Sequence, residues 1–321
     1  MHRPLYHYCS NEKCFNIIKT QTIRMSDIQK SNDYNELNLL FPKIYDVLLQ
    51  QYLAKPFPFK YSGKTDADAI YELFTISRLY WQNRFDSGDF SNFVLCFSQS
   101  KDCLSQWRGY ANNAQGCCLE FDFDELMAYC NSSRGVLRLE EVVYLVEEGI
   151  EKLLVDFSKE IIKELKGLRK YIVDNMTFDD ENEDTDGLLG FNFDGMLENV
   201  FIESLKYKSF AFQEEKEWRI FIASPFFKEP EWFYPSEKRT YIGPDGFSET
   251  INYLDGRIDF MATTNDIIPF CPINFNEFTK NPLRRIWIGP KNMTRESDLK
   301  LLLKKYNCEK VVVETSNISY R

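Results

Sequence analysis

Apolar and polar positions alternate near the start of the chain. LYHYCS, Leu5 to Ser10, has the two-residue period of a strand. NEKCFNIIKT follows with Cys14, Phe15, Ile17 and Ile18 on one helical face, and TIRMS, Thr22 to Ser26, returns to strand. SNDYNE reads as a loop. LNLLFPKIYDVLLQQYLA and DADAIYELFTISRLYWQNRF carry helical periodicity, with Pro42 predicted to interrupt the first and KPFPFKYSGK linking them. From Phe93 the pattern turns strand-like in NFVLCFSQ. A short helix, DCLSQWRGYA, then leads to the strands GCCLEFDF and VLRLEEVVYLV.

EEGIEKLLVDFSKEIIKELKGLRKYIV is the longest helical run, and FDDENEDTDG after it, Phe178 to Gly187, reads as a solvated acidic loop. MLENVFIESLKYKSF reads as a helix. EEKEWRIFIASP reads as a strand in which Trp218, Ile220 and Ile222 alternate with Glu217, Arg219 and Phe221. INYLDGRIDFMA, DIIPFCPINF, RRIWIGP and VVVETS are further strands. The last two flank a helix with Thr294 as its expected N-cap and Glu296 and Asp298 in its first turn, an order that predicts a right-handed crossover. The pattern as a whole predicts an α+β fold. It is a single domain over residues 1–321 with a mostly antiparallel β-sheet and helical insertions at about 35–86 and 147–206.

Charge and cysteine usage narrow the function. A net charge of -10 opposes strong nonspecific nucleic-acid binding, which needs a basic surface, although it leaves a local basic groove open. The nine cysteines form no CxxC pair, and two histidines are too few to complete a zinc site, so no metal is expected. Scattered thiols fit a reducing, cytoplasmic setting. No apolar run approaches the roughly 20 residues that cross a bilayer, so no membrane partner is expected. GxGxxG, GxxxxGK[ST], HExxH and GxSxG are all missing. The acidic loop matches a calcium loop at Asn182, Asp184, Asp186 and Gly187. Phe193 stands where the bidentate Glu is required, so that reading fails.

Four places carry polar or aromatic groups a sheet does not need. They are His7 between Tyr6 and Tyr8, Ser98 at the end of CFS, Trp107 and Tyr110 three apart, and Glu215 and Glu217 two apart on one strand face. Each has an ordinary alternative. His7 could be a packing residue, Ser98 a helix cap, Trp107 and Tyr110 core, and the glutamates an exposed face paired with lysines and Arg219. Two carboxylates on one face repel unless they meet water or a site that wants negative charge.

In order along the chain, LYHYCS, TIRMS, SNDYNE, CFSQSKDCLSQWRGYA, GCCLEF, KYKSFAFQEEKEWRI, IWIGP and VVVETSNISYR resemble the bacterial domain of unknown function 2971 family. More distantly, a first-strand histidine, a middle strand ending in serine and a late E-x-E strand are similar to the ADP-ribosyltransferase superfamily. That resemblance implies a split sheet and NAD as substrate. It also implies transfer of ADP-ribose to a macromolecular acceptor, protein or nucleic acid, or hydrolysis of NAD, in a role such as phage defence or toxin-type competition.

Under the resemblance, His7, Glu217 and Glu215 are catalytic: His7 holds the ribose, and Glu217 supports the developing oxocarbenium ion. Glu215 orients the acceptor, and Tyr110 or Trp107 stacks on nicotinamide. Tyr8, Ser98 and Arg219 complete the expected binding set. Tyr8 stands where many superfamily members keep a small residue. The alternative from another class is a catalytically silent module that binds a nucleotide or a partner in the same cleft.

Overall fold

Ser10 turns the first strand into the first helix: extended at φ -65, ψ 163, it accepts the Lys13 N–H on its Oγ at 3.2 Å. The computed structural model describes residues 3–30, 39–87, 90–175, 183–223, 226–227, 254, 256–263 and 265–319. The elements before the middle strand are β1 Pro4–Cys9, α1 Asn11–Thr20, β2 Thr22–Asp27, α2 Phe41–Ala54, β3 Lys60–Tyr61, β4 Lys64–Thr65 and α3 Asp66–Ser87. Next come β5 Phe90–Ser91, β6 Phe93–Ser98, α4 Leu104–Gly109, β7 Cys117–Asp122, α5 Phe123–Ser132, β8 Leu137–Glu141 and β9 Val143–Leu145. Two long helices follow, α6 Glu147–Asn175 and α7 Glu183–Ser204, then β10 Tyr207–Ser209, β11 Glu217–Ile222 and β12 Phe226–Phe227. The chain continues with β13 Asp259–Ala262, β14 Ile267–Asn274, β15 Leu283–Ile288, α8 Glu296–Lys305 and β16 Val312–Thr315.

Ten of these strands form one mostly antiparallel sheet that forks at β6. Along one edge β6 pairs with β11 from Val94 to Ser98. On its other edge it meets β2 at Phe93 and Val94, and β1 at Ser98. Leu95, Cys96 and Phe97 face the gap between them. One arm runs β2–β14–β13 and the other β1–β7–β15–β16, with β8 outside β11. β15 and β16, joined through α8, pair in parallel.

Directly paired residues point to the same face, so the register assigns each side chain. Leu5, Cys9, Leu95, Phe97, Leu119, Phe121, Ile220 and Ile286 lie on one face, packed against Ile17 and Ile18 of α1, Leu126 of α5 and Leu299 and Leu303 of α8. The opposite face carries two separate apolar clusters. Val94 and Phe221 pack under the layer of α2, α3, α6 and α7, while Tyr6, Tyr8 and Cys118 pack with Trp107 and Trp287. Coverage on both sides leaves all six residues of β11 buried despite their alternating polarity. Gly116 and Gly289 pinch the second cluster. A Cβ on Gly116 would stand 2.1 Å from the Cys9 carbonyl oxygen, and one on Gly289 2.4 Å from that of Ala114.

Four local expectations need correction. Pro42 lies in the first turn of α2, where its missing N–H costs nothing, so it starts that helix rather than interrupting it. The tail of the acidic stretch, from Glu183, is already α7, and KYKS leaves the preceding helix to form β10. Thr294 is not the N-cap of α8; Arg295 takes that position without a side-chain bond, and the Thr294 N–H instead donates to Asn292 Oδ1 at 2.9 Å. Glu215 closes a 3-10 turn, Phe210–Glu215, before β11 begins. SNDYNE and residues 178–182 lie outside the described residues, as do Ile251 to Tyr253 and Asp255 of INYLDGRIDFMA.

Candidate functional site

The helical insertion enters through β9 and leaves through β10, and these two strands pair in parallel with Tyr144 opposite Lys208. Both residues land on Glu217. Its N–H donates to the Tyr144 hydroxyl at 2.8 Å, and Lys208 Nζ donates to Glu217 Oε2 at 3.1 Å and to Glu215 Oε2 at 2.7 Å. Arg219, two residues along the same strand, grips Glu217 through Nε on Oε1 at 2.6 Å and Nη2 on Oε2 at 3.1 Å. Its Nη1 donates to the Leu205 carbonyl at 2.9 Å. Two carboxylates and two cations are thus buried together with no net charge, so a substitution is most costly where it leaves one of the charges with no remaining partner.

The two glutamates differ. Burial works to raise the Glu217 pKa, but Arg219 and then Lys208 outweigh it and hold the carboxyl well below the usual range. The Cys96 thiol also bonds it, so its oxygens are fully engaged. Among the described residues Glu215 accepts only from Lys208 and from the Tyr110 hydroxyl, the latter at 3.3 Å. About two of its four lone-pair directions remain. Burial, and then the charge of Glu217, raise its pKa against the pull of Lys208 and Tyr110.

A cavity of about 240 Å³ opens over this network at the fork. Besides Glu215, Glu217, Lys208 and Arg219 it is lined by Tyr6, His7, Tyr8, Tyr110, Cys96 and the cations Lys13, Arg24 and Lys30. Five cations against two carboxylates leave a lining of +3 in a chain of net charge -10. Lys30 pairs with Asp266 at 2.7 Å, and the Arg24 guanidinium lies 4.1 Å from the Phe270 ring centre. A second cavity of about 560 Å³ shares His7, Lys13, Arg24 and Ser26 with the first and extends along α1.

His7 belongs to the gap itself. Its Nδ1–H donates to the Cys96 carbonyl at 3.0 Å, between the points where β6 meets β2 and β1. Burial, assisted by the charge of Lys13, lowers its pKa to about 4 against the opposing bond to Cys96, so the ring is neutral and Nε2 is an acceptor. Tyr6, Ser98 and Glu217 are in register across three strands, which puts His7 and Glu217 on opposite faces of the sheet. Both reach the cavity because the sheet is open there. The expected partnership of His7 and Glu217 over one sugar on one face is therefore not met.

The other expected residues divide. Tyr110 lines the cavity and is 42% exposed, with its hydroxyl pKa raised by burial and by Glu215. Trp107 is 0% exposed, its ring edge-on to Tyr8 at 5.0 Å and its Nε1 on Asp102 at 3.4 Å, so it is core and not a stacking surface. Ser98 is buried and positions the Glu215 turn by donating to the Glu215 carbonyl at 2.7 Å. Tyr8 donates to the Ser100 carbonyl at 2.6 Å and accepts the Cys103 N–H at 3.1 Å, which fixes the chain ahead of α4. Arg219 is an internal partner of Glu217. Sequence reasoning missed Lys208, Lys13, Arg24 and Lys30. For Lys208 the available signal is a lysine flanked by Tyr207 and Ser209 in a segment whose pattern reads as a helix.

Among the described residues no helix is long and apolar enough to cross a membrane. Neither the curated proteins nor the solved structures provide a match to the chain. A family model does match, from Gln106 to Ile220, a stretch that holds Tyr110, Lys208, Glu215, Glu217 and Arg219 but neither His7 nor Ser98. The resemblance is thus borne by α4 through β11, about a third of the chain, and not by the opening strand. Over residues 106–220 the chain is similar to the family described as protein of unknown function, DUF2971.

Proposed function

We propose that the fork cavity binds an anionic, hydroxyl-bearing small molecule of the nucleotide class, with NAD the first member to test. The observation that carries this reading is a pair of cations, Lys13 and Arg24, lining the cavity outside the Glu217 network and the Lys30–Asp266 pair, around a carboxylate that keeps open acceptor positions. Lys13 and Arg24 would take phosphate oxygens, the neutral His7 Nε2 and Glu215 would take sugar hydroxyls, and the Tyr110 ring would offer a flat face. The buried network of Glu217, Arg219 and Lys208 then serves as a rigid base that holds Glu215 in place.

A second reading is ADP-ribosyl transfer or NAD hydrolysis, with a protein or nucleic-acid acceptor in the former case. It is favoured by one observation, that Glu215, Tyr110 and His7 line the same cavity. Under it the carboxylate beside the reacting ribose is Glu215, because the oxygens of Glu217 are already bonded. Titration calorimetry with NAD and ADP-ribose, run beside chromatographic detection of free nicotinamide, separates the two. Binding without nicotinamide release supports the silent module. Release that Glu215→Gln abolishes supports the enzyme. Absence of binding at millimolar nucleotide overturns both.

A further inference from the structure

A third cavity, of about 450 Å³, lies away from the fork, between the α2–β3 linker and the last third of α6. Its apolar part comes from Phe57, Phe59 and Val173, and its rim carries Lys60, Lys166, Arg169 and Lys170. The linker wall is built rather than loose. Tyr52 donates to the Phe57 carbonyl at 2.8 Å, while Phe59 and Asp66 are bonded twice, Asp66 N–H to Phe59 O at 2.7 Å and Phe59 N–H to Asp66 Oδ1 at 3.3 Å. Asp66 holds this geometry at φ 50, in the left-handed region.

The cations are placed against local electrostatics. Lys166 stands three residues before Arg169 and four before Lys170, so like charges share one helix face, which disfavours the helix unless an anion lies among them. The helix dipole does not account for them, since the last turn of α6 contains no basic residue. Of the two acids in the lining, Asp66 is engaged by Phe59, leaving Asp174. Among the described residues no carboxylate pairs with Lys60, Lys166, Arg169 or Lys170. Lys166 Nζ instead lies 5.9 Å from the Phe57 ring centre.

We infer that this cavity is a site for an amphipathic anion, a compact apolar body bearing a carboxylate or phosphate. The apolar body would cover Phe57, Phe59 and Val173, and the charged end would sit among the four cations. The volume falls in the range of small-molecule sites. The test is titration calorimetry of the full chain with dodecanoate below its micellar concentration, and separately with decanol and with sodium sulfate. Dodecanoate is expected to bind, with decanol and sulfate each about tenfold weaker or worse.

The double variant Lys166→Glu/Lys170→Glu, at exposed positions, should weaken dodecanoate by about tenfold or more while keeping the wild-type melting temperature. Lys60→Glu on the opposite wall checks the result independently of α6. The inference is overturned if dodecanoate does not bind, if charge reversal leaves its affinity unchanged, or if sulfate or decanol alone matches it. Tighter binding of a single-stranded oligonucleotide at the same cations overturns it as well.

Discussion

Glu217 and Arg219 stand two apart on one strand and close a bidentate pair, Nε to Oε1 at 2.6 Å and Nη2 to Oε2 at 3.1 Å, with both side chains buried. A pair so placed is costly to break and cheap to replace whole. Glu217→Gln should destabilise the protein by about 3–5 kcal/mol, because it leaves Arg219 charged and uncompensated. Glu217→Gln combined with Arg219→Met should recover most of that loss. Urea denaturation of the two variants measures the difference, and a double variant as unstable as the single one would contradict the role given to the pair.

His7 repairs the edge of β6 where the sheet forks. His7→Leu removes the Nδ1–H donated to the Cys96 carbonyl and should cost about 1–3 kcal/mol, whereas His7→Asn, which keeps a donor, should cost less. Thermal melts rank the two. Equal losses would show that the ring acts through packing alone.

The pinch between β7 and β15 makes a sharper demand. Gly289→Ala places a methyl where backbone oxygens already stand, so it should cost at least about 1–3 kcal/mol or prevent folding. Gly167→Ala, on an exposed turn of α6 with nothing within 4 Å of its Cβ position, should be neutral or slightly stabilising. Melting temperatures of this pair of variants check the contrast.

Asp194 and Glu198 face each other's charge one turn apart on α7. Burial raises Asp194 to about 6 against the bonds from Ser77 and Trp81, and burial followed by the charge of Asp194 raises Glu198 to about 7. A folded pKa above the ordinary carboxylate value means stability that is present at pH 4 and lost as the pH rises through about 6 to 7. His7 runs the other way: its depressed pKa removes stability as the pH falls from 6.5 through about 4. The difference between Glu198→Gln and wild type isolates the first effect. The variant should be the more stable protein at pH 8, with the gap closing toward pH 4.5. A gap independent of pH would remove the burial argument for Glu198.

Strands and amphipathic helices were legible because single-period patterns decide them. β1 and β11 emerge from two-residue alternation, β6 and β7 from short, largely apolar runs, and α1 and α6 from apolar spacing at three and four. β10 was not legible, since three residues that pair in parallel with β9 have no pattern of their own. The acid pair shows how far the site could be read. Both Glu215 and Glu217 line the fork cavity, yet the turn that ends at Glu215 breaks the strand geometry expected of them. Which of the two is engaged depends on Arg219 and on Lys208, which arrives from beyond the helical insertion. The opposite facing of His7 and Glu217 is likewise a matter of register through β6, a strand between them whose alignment local sequence does not encode.

The most direct test compares Glu215→Gln with wild type for nucleotide binding by titration calorimetry, with stability measured on the same samples. Lys208 keeps Glu217 as a partner, so Glu215→Gln should cost no more than about 1–2 kcal/mol of stability. NAD or ADP-ribose affinity should nevertheless fall by about tenfold or more, and Lys13→Glu should produce a comparable loss. Nucleotide affinity unchanged in both variants, or no binding to the wild type, would contradict the assignment of the fork cavity.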